Sequence, residues 1–166
     1  VELTEEGLNI DELNAALDAG AKMIYLIPNF QNPTGLTYTA ENREQVREVL
    51  AGRNIVVVED DPYGRLRYDG GHQVPLKAMD DSVIYLGTIS KMLGPGLRTG
   101  WIAAPEAVLA RINLVKQGAD LCGSAFDQLV VQHYFADVAW QRTLQKFIAL
   151  YKERRDAMLA ALDEFF

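Results

Sequence analysis

The sequence predicts an α/β fold built on a mostly parallel sheet with one antiparallel strand, followed by helices. Three observations lead there. Residues 23–27, 55–58 and 83–86 are short apolar runs without alternation, the pattern of strands covered on both faces in a parallel sheet. A helical stretch from Thr39 to Leu50 separates the first two runs, which makes a βαβ unit with parallel pairing. After the third run, only about a dozen Gly-rich residues precede a fourth apolar stretch at 100–103, too short a path for a parallel crossover, so the fourth strand is expected to run antiparallel.

The individual elements follow from local chemistry. Asn9 stands as an N-cap, and Glu12 three places on is positioned to bond back to its amide as a capping box. Leu13, Ala16 and Leu17 share one face of the helix that follows, and Gly20 ends it. Pro28 closes the first strand and opens a turn-rich stretch, Asn29-Phe30-Gln31-Asn32-Pro33-Thr34-Gly35. Thr39 caps the second helix, which stops at Gly52. The second strand exits into Glu59-Asp60-Asp61-Pro62-Tyr63-Gly64, and residues 65–80 read as polar and irregular. The third strand exits into Thr88-Ile89-Ser90-Lys91, a glycine-rich bend and Arg98.

From Pro105 the pattern turns helical through Ala107, Leu109, Ile112 and Val115, breaks at Cys122-Gly123-Ser124, and resumes through Phe126, Leu129, Val130, His133 and Tyr134. From Val138 onward, Trp140, Leu144, Phe147, Ile148, Tyr151, Met158, Leu162 and Phe165 recur at helical steps. They predict one long amphipathic helix whose charges at 152–156 lie on its wet side.

Composition bounds the function. With 49% apolar and 23% charged residues the chain has the balance of a globular protein that buries a core. A net charge of −7 with no basic run gives no electrostatic footprint for nucleic acid. The single cysteine, Cys122, excludes an intrachain disulfide, fits a reducing cytoplasm, and without a local His or Asp partner reads as packing rather than as a nucleophile. His72 and His133 have no partner at metal-ligand spacing, so no metal site is predicted. No apolar run reaches the roughly 18–20 residues of a membrane span. The chain opens on Val1 and closes on Phe166 within a helical pattern, which predicts an internal piece of a longer protein.

The reactive residues fall at equivalent places. Asn32 follows the first buried strand, Asp60 and Tyr63 end the second, and Lys91 follows the third. Loops at the carboxyl ends of parallel strands converge on one crevice, where ligands bind. A lysine to form a Schiff base, an aspartate for a pyridinium nitrogen, and hydroxyls with an arginine for a phosphate together match the needs of pyridoxal 5'-phosphate. The Asp60-x-x-Tyr63 spacing, and strand alternation that sets Asp60 opposite Asp61, favour Asp60 over Asp61 as the ring partner. Thr88, Ser90 and Arg98 supply the phosphate contacts.

These motifs carry a family resemblance. Gln31-Asn32-Pro33-Thr34-Gly35, Asp60-Asp61-Pro62-Tyr63, Thr88-Ile89-Ser90-Lys91 and Pro95-Gly96-Leu97-Arg98-Thr99-Gly100-Trp101 resemble the class I/II aminotransferases, fold-type I pyridoxal-phosphate enzymes. The K-x-x-x-P-G-L-R spacing from Lys91 to Arg98 looks most like the subgroup of 2-aminoadipate and kynurenine-type aminotransferases and the aminotransferase-like domains of MocR-type regulators. The resemblance implies that Lys91 holds the cofactor and moves the proton at the substrate Cα, and that Asp60 pairs with the pyridine nitrogen. By the same resemblance Asn32 and Tyr63 hydrogen-bond the phenolic oxygen, and Thr88, Ser90 and Arg98 bind phosphate. Asn32-Pro33 is expected to be cis.

It further implies that residues 1–137 form the central part of the cofactor-binding large domain and residues 138–166 an interdomain helix leading to a small domain outside the chain. A cytoplasmic homodimer acting on an α-amino acid and a 2-oxo acid is the implied context. The family's upstream phosphate turn and its substrate-carboxylate arginine also fall outside these residues, so the piece alone is expected to be inactive. The alternative is a regulator that senses the cofactor through an aminotransferase-like domain fused to a DNA-binding module.

Overall fold

The computed structural model describes residues 1–137 and 139–165; Val138, where the last helix was expected to start, and Phe166 lie outside the described residues. Two two-residue strands, β1 (Leu3–Thr4) and β2 (Gly7–Leu8), form an antiparallel hairpin. Next come α1 (Ile10–Asp18), β3 (Met23–Leu26), α2 (Ala40–Leu50), β4 (Val56–Asp60), α3 (Leu76–Met79), β5 (Ile84–Thr88) and β6 (Gly100–Ala103). Helices α4 (Glu106–Ala119), α5 (Ala125–Ala136) and α6 (Trp140–Phe165) complete the chain.

The main sheet has the order β3-β4-β5-β6, with β3, β4 and β5 parallel and β6 antiparallel to β5. The short connector therefore does force the reversal. A Cβ on Gly87 would stand 2.2 Å from the Trp101 indole, so the β5–β6 pair closes only because that position is glycine.

Helices α1, α2 and α5 start where a side chain accepts an orphan amide, whereas α3 and α4 follow Pro75 and Pro105 without one. Asn9 accepts from Glu12 N, Thr39 from Asn42 N, and Ser124 from Asp127 N. The reciprocal half of the expected capping box does not form. Glu12 instead accepts from Glu2 N at 2.7 Å, and Asn9 N donates to the Glu2 carbonyl, because the β1–β2 hairpin brings Glu2 alongside.

The principal core lies between one sheet face and helices α1 and α2. Leu13, Val46 and Leu50 meet Leu26, Val57 and Val83, with Tyr38 and Leu76 at the margin. Each fully buried aliphatic side chain contributes about 1.5–3 kcal/mol. A second cluster of Ile89, Met92 and Leu144 joins the loop after β5 to α6, with Phe135 and Trp140 in edge-to-face contact beside it.

Coverage of both sheet faces, expected from the unalternating strands, is not what the described residues show. Met23 is 62% and Tyr25 52% exposed, because α1 and α2 both lie against the opposite face. Residues 65–80 are also less irregular than expected: a 3-10 turn spans Gly64–Leu66 and α3 follows Pro75. The charges on α6 are not simply solvated. Lys152 and Arg155 pair with Asp69 at 3.1 and 2.8 Å, and Arg155 lies over Tyr68. Cys122 is exposed rather than packed, in the break between α4 and α5. Among the described residues no helix is long and apolar enough to cross a membrane.

Candidate active site

The carboxyl ends of β3, β4 and β5 share one edge of the sheet. Leu26 pairs with Glu59, and Asp60 with Leu86, in parallel register. Asp60 and Thr88 end their strands at this edge, and the loops that leave it carry Asn32, Tyr63, Ser90, Lys91 and Arg98.

After β5 the chain makes a tight turn in which Met92 N, at 3.1 Å, and Leu93 N, at 2.8 Å, donate to the Ile89 carbonyl. Ile89 and Met92 are buried, so this turn is pinned to the core while Lys91 between them is exposed. The amine is thus held on an anchored turn rather than desolvated, and its Nζ lies 5.7 Å from the Tyr63 ring centroid. A cation over an aromatic face is attracted by the ring quadrupole.

The two hydroxyls before Lys91 form a unit. Thr88 Oγ1 accepts from Ser90 N at 3.1 Å, lies 3.0 Å from Ser90 Oγ, and donates to the Thr99 carbonyl at 3.2 Å. The Thr99 contact brings Arg98 to the same end of the sheet. Arg98 takes a left-handed backbone conformation (φ 47°), and its Nη1 donates to the Pro95 carbonyl. With Thr99 and Gly100 it lines a cleft of about 380 Å³ closed on the far side by Lys116, Ser124 and Asp127.

Asp60 is the last residue of β4, and its carboxylate accepts from the Tyr25 hydroxyl. Partial burial, then the hydrogen bond to Asp60 and its negative charge, push the Tyr25 phenol up to about 12. Tyr25 therefore remains a donor at neutral pH. Asn32 sits in the turn after β3, its bond to Pro33 is cis as expected, and its carbonyl accepts from Gln31 Nε2 at 2.8 Å. Among the described residues no hydrogen bond joins the Asn32 side chain to the other six candidates.

Lys91 with Tyr63, and Thr88 with Ser90 and the Arg98 segment, are thus brought together; Asp60 is held from β3, and Asn32 stands apart. The donor set fits a pyridoxal phosphate group: a carboxylate at a strand end, an exposed amine, a hydroxyl pair and a guanidinium, on loops with a common origin. Sequence reasoning missed Tyr25 and the buried polar cluster behind the edge. Tyr25 could have been found, since it pairs with Val58 and alternation gives it the same face as Asp60. Arg43 gave no signal, because an arginine in a polar helix reads as solvated.

Arg43 donates through Nη2 to Pro28 O and to Asn29 Oδ1, both at 2.9 Å, and lies 3.8 Å from Glu59. Burial pulls the Arg43 guanidinium below its ordinary value, and Glu59 and Asp61 partly restore it. Burial likewise holds the Glu59 carboxyl above the usual range, opposed by hydrogen bonds from Lys77 N and Leu76 N and by the Arg43 charge.

The family model for aminotransferase class I and II matches residues 2–165. The aromatic-amino-acid aminotransferase 1 of Thermococcus litoralis is 42% identical over 173 residues, which cover 99% of this chain and 42% of that protein. An uncharacterized HTH-type transcriptional regulator of Bacillus subtilis, YisV, is 34% identical over 148 residues, 88% of this chain and 31% of the regulator. Among solved structures, a kynurenine aminotransferase of Pyrococcus horikoshii in complex with PMP superposes with a TM-score of 0.94 at 38% identity, covering 99% of this chain and 43% of that one. The chain thus spans about two fifths of the length of the first curated relatives it matches, 42% and 43% of the first two.

Proposed function

This chain belongs to the class I and II aminotransferases, and from that premise we propose that, in its full-length form, it moves an amino group from an α-amino acid to a 2-oxo acid. The observation that carries the reading is Lys91, exposed on a turn pinned by Ile89 and Met92 and facing the Tyr63 ring at 5.7 Å. Pyridoxal 5'-phosphate, when bound, supplies the electron sink for the bond broken at the substrate Cα.

The residues divide the remaining work. Lys91 would offer the amine that holds the cofactor and would move the proton at the substrate Cα as general base and acid. Asp60, kept in place by the Tyr25 hydroxyl, offers a carboxylate to a protonated ring nitrogen. Tyr63 and Asn32 donate to a phenolic oxygen. Thr88, Ser90 and Arg98 would take the phosphate, the guanidinium offering a planar fork of donors. Residues 1–137 are read as the central part of the large domain and 138–166 as the helix leading to a small domain. A cytoplasmic homodimer completes the reading.

Steady-state kinetics of the full-length protein test it. Parallel-line ping-pong patterns with an amino acid and a 2-oxo acid, lost in Lys91→Ala, are the expected result; absence of amino transfer from every donor tried would contradict it. The 166-residue chain alone is expected to show no turnover.

The match to YisV favours a second reading, a cofactor-binding effector domain of a transcriptional regulator. A DNA-binding module on the same polypeptide together with no steady-state turnover would select it.

A further inference from the structure

We propose that Asp61 is the positioning residue of this site: its carboxylate sets where Tyr63 stands relative to Lys91. The proposal rests on the reading of Tyr63 and Lys91 as facing the cofactor. Asp61 lies one residue beyond β4, where strand alternation turns it away from Asp60. Its Oδ1 accepts from Asn29 Nδ2 at 3.0 Å and from Gly64 N at 2.9 Å, and its Oδ2 accepts from the Tyr85 hydroxyl at 3.0 Å. One carboxylate therefore joins the segment before the Asn32 loop, the far end of the Tyr63 turn, and β5.

The bond to Gly64 closes a ring of backbone around Pro62 and Tyr63. The closure is tight. A Cβ on Gly64 would meet Asp61 Oδ1 at 2.5 Å and Asn29 Nδ2 at 2.9 Å, so the carboxylate rests directly on the backbone that follows Tyr63. Leu66 N donates to the Tyr63 carbonyl at 2.8 Å and fixes the same turn from the other side.

The arrangement is imposed from behind. Asn29 Oδ1 accepts from Arg43 Nη2 at 2.9 Å and from Arg67 Nη2 at 3.0 Å, which leaves its amide nitrogen to face Asp61. Burial, then the charge of Asp61 and the bond to it, hold the Tyr85 hydroxyl protonated far above the ordinary phenol range, so it donates at any working pH. A half-buried carboxylate with three donors on three segments holds them in one arrangement, and its loss frees the turn it holds. Asp61 touches neither substrate nor cofactor; it acts through Tyr63.

The test uses the full-length holoenzyme with Asp61→Ala, Asp61→Asn and Tyr85→Phe. Tyr63 tunes the pH at which the bound cofactor changes its visible absorbance. Asp61→Ala is therefore expected to move that midpoint by about one pH unit. It is also expected to lower kcat about tenfold to hundredfold with a much smaller change in KM, the effect of a misplaced group. Asp61→Asn keeps an acceptor for Asn29 and Gly64 and should restore most of both. An Asp61→Ala protein that melts earlier but keeps the wild-type midpoint and kcat per bound cofactor would overturn the proposal. Where Asp61→Ala does not fold, an unchanged midpoint in Tyr85→Phe overturns it equally. A wild-type protein with no cofactor band defeats the functional reading instead. The proposal is then judged by the fluorine resonance of 3-fluorotyrosine at position 63, which Asp61→Ala must shift.

Discussion

Replacing Arg43 with methionine removes the charge behind the site while keeping most of the side-chain volume. Arg43 is 1% exposed and Glu59 0%, so neither can turn to water when its partner is lost. The guanidinium donates to Tyr38 O and Val74 O at 3.3 Å, and to Pro28 O and Asn29 Oδ1 at 2.9 Å. Glu59 keeps its bonds from Leu76 N at 3.1 Å and Lys77 N at 2.9 Å, but its charge is left unpaired. Breaking one side of a buried pair costs about 3–5 kcal/mol. Against a total stability of about 5–15 kcal/mol that is about a fifth or more. Urea unfolding followed by tryptophan fluorescence should show the loss as a lower midpoint with an unchanged slope. The pH dependence adds a second signature. Because the folded Glu59 carboxyl lies above its ordinary value, the stability tied to its neutral form is complete below about pH 4.3 and is lost as pH rises through the folded value. Arg43→Met removes one of the influences that lower that value, so its stability should fall more steeply with pH than the wild type's. A loss under about 1 kcal/mol, the range of an exposed pair, or an identical pH slope would refute the reasoning.

Other outcomes follow from single contacts. In an alkaline titration Tyr25 and Tyr38 should ionise near 12, above the ordinary phenol range, and Tyr85 later still. Asp60→Asn should bring Tyr25 part of the way back to the ordinary value of about 10, since burial remains; a titration curve unchanged by that substitution would contradict the Tyr25–Asp60 bond. Gly87→Ala must push the Trp101 indole off β5, costing about 1–3 kcal/mol with a red-shifted tryptophan emission. Replacing Asp69 by alanine should accelerate amide exchange in residues 68–71 and the facing turn of α6, an effect that wild-type protein in high salt reproduces.

Much of the fold was legible because short-range rules governed it. The caps at Asn9 and Thr39, the glycine stops, and the parallel strands with their antiparallel fourth member all follow from a few neighbouring residues. What escaped depends on distant partners. Helix α3 spans only Leu76–Met79, and its first amides are held by Glu59, seventeen residues upstream of Leu76. Glu12 abandoned its own helix for Glu2 once the hairpin supplied a nearer amide. The candidate site residues stand out because their types and strand-end positions coincide, as with Asp60, Tyr63 and Lys91. Asn29, Arg43 and Asp61 do not, since each matters through a hydrogen bond to a residue on another element; alternation gives Tyr25 the face of Asp60, but its bond to that carboxylate is again a long-range partner.

The central claim is that Lys91 is the amine that holds the cofactor. Full-length protein incubated with pyridoxal 5'-phosphate, reduced with borohydride and digested should carry the pyridoxyl group on the peptide containing Lys91. The visible band should be missing from Lys91→Ala. Label spread over other lysines, or a Lys91→Ala protein that keeps the band, would contradict the account.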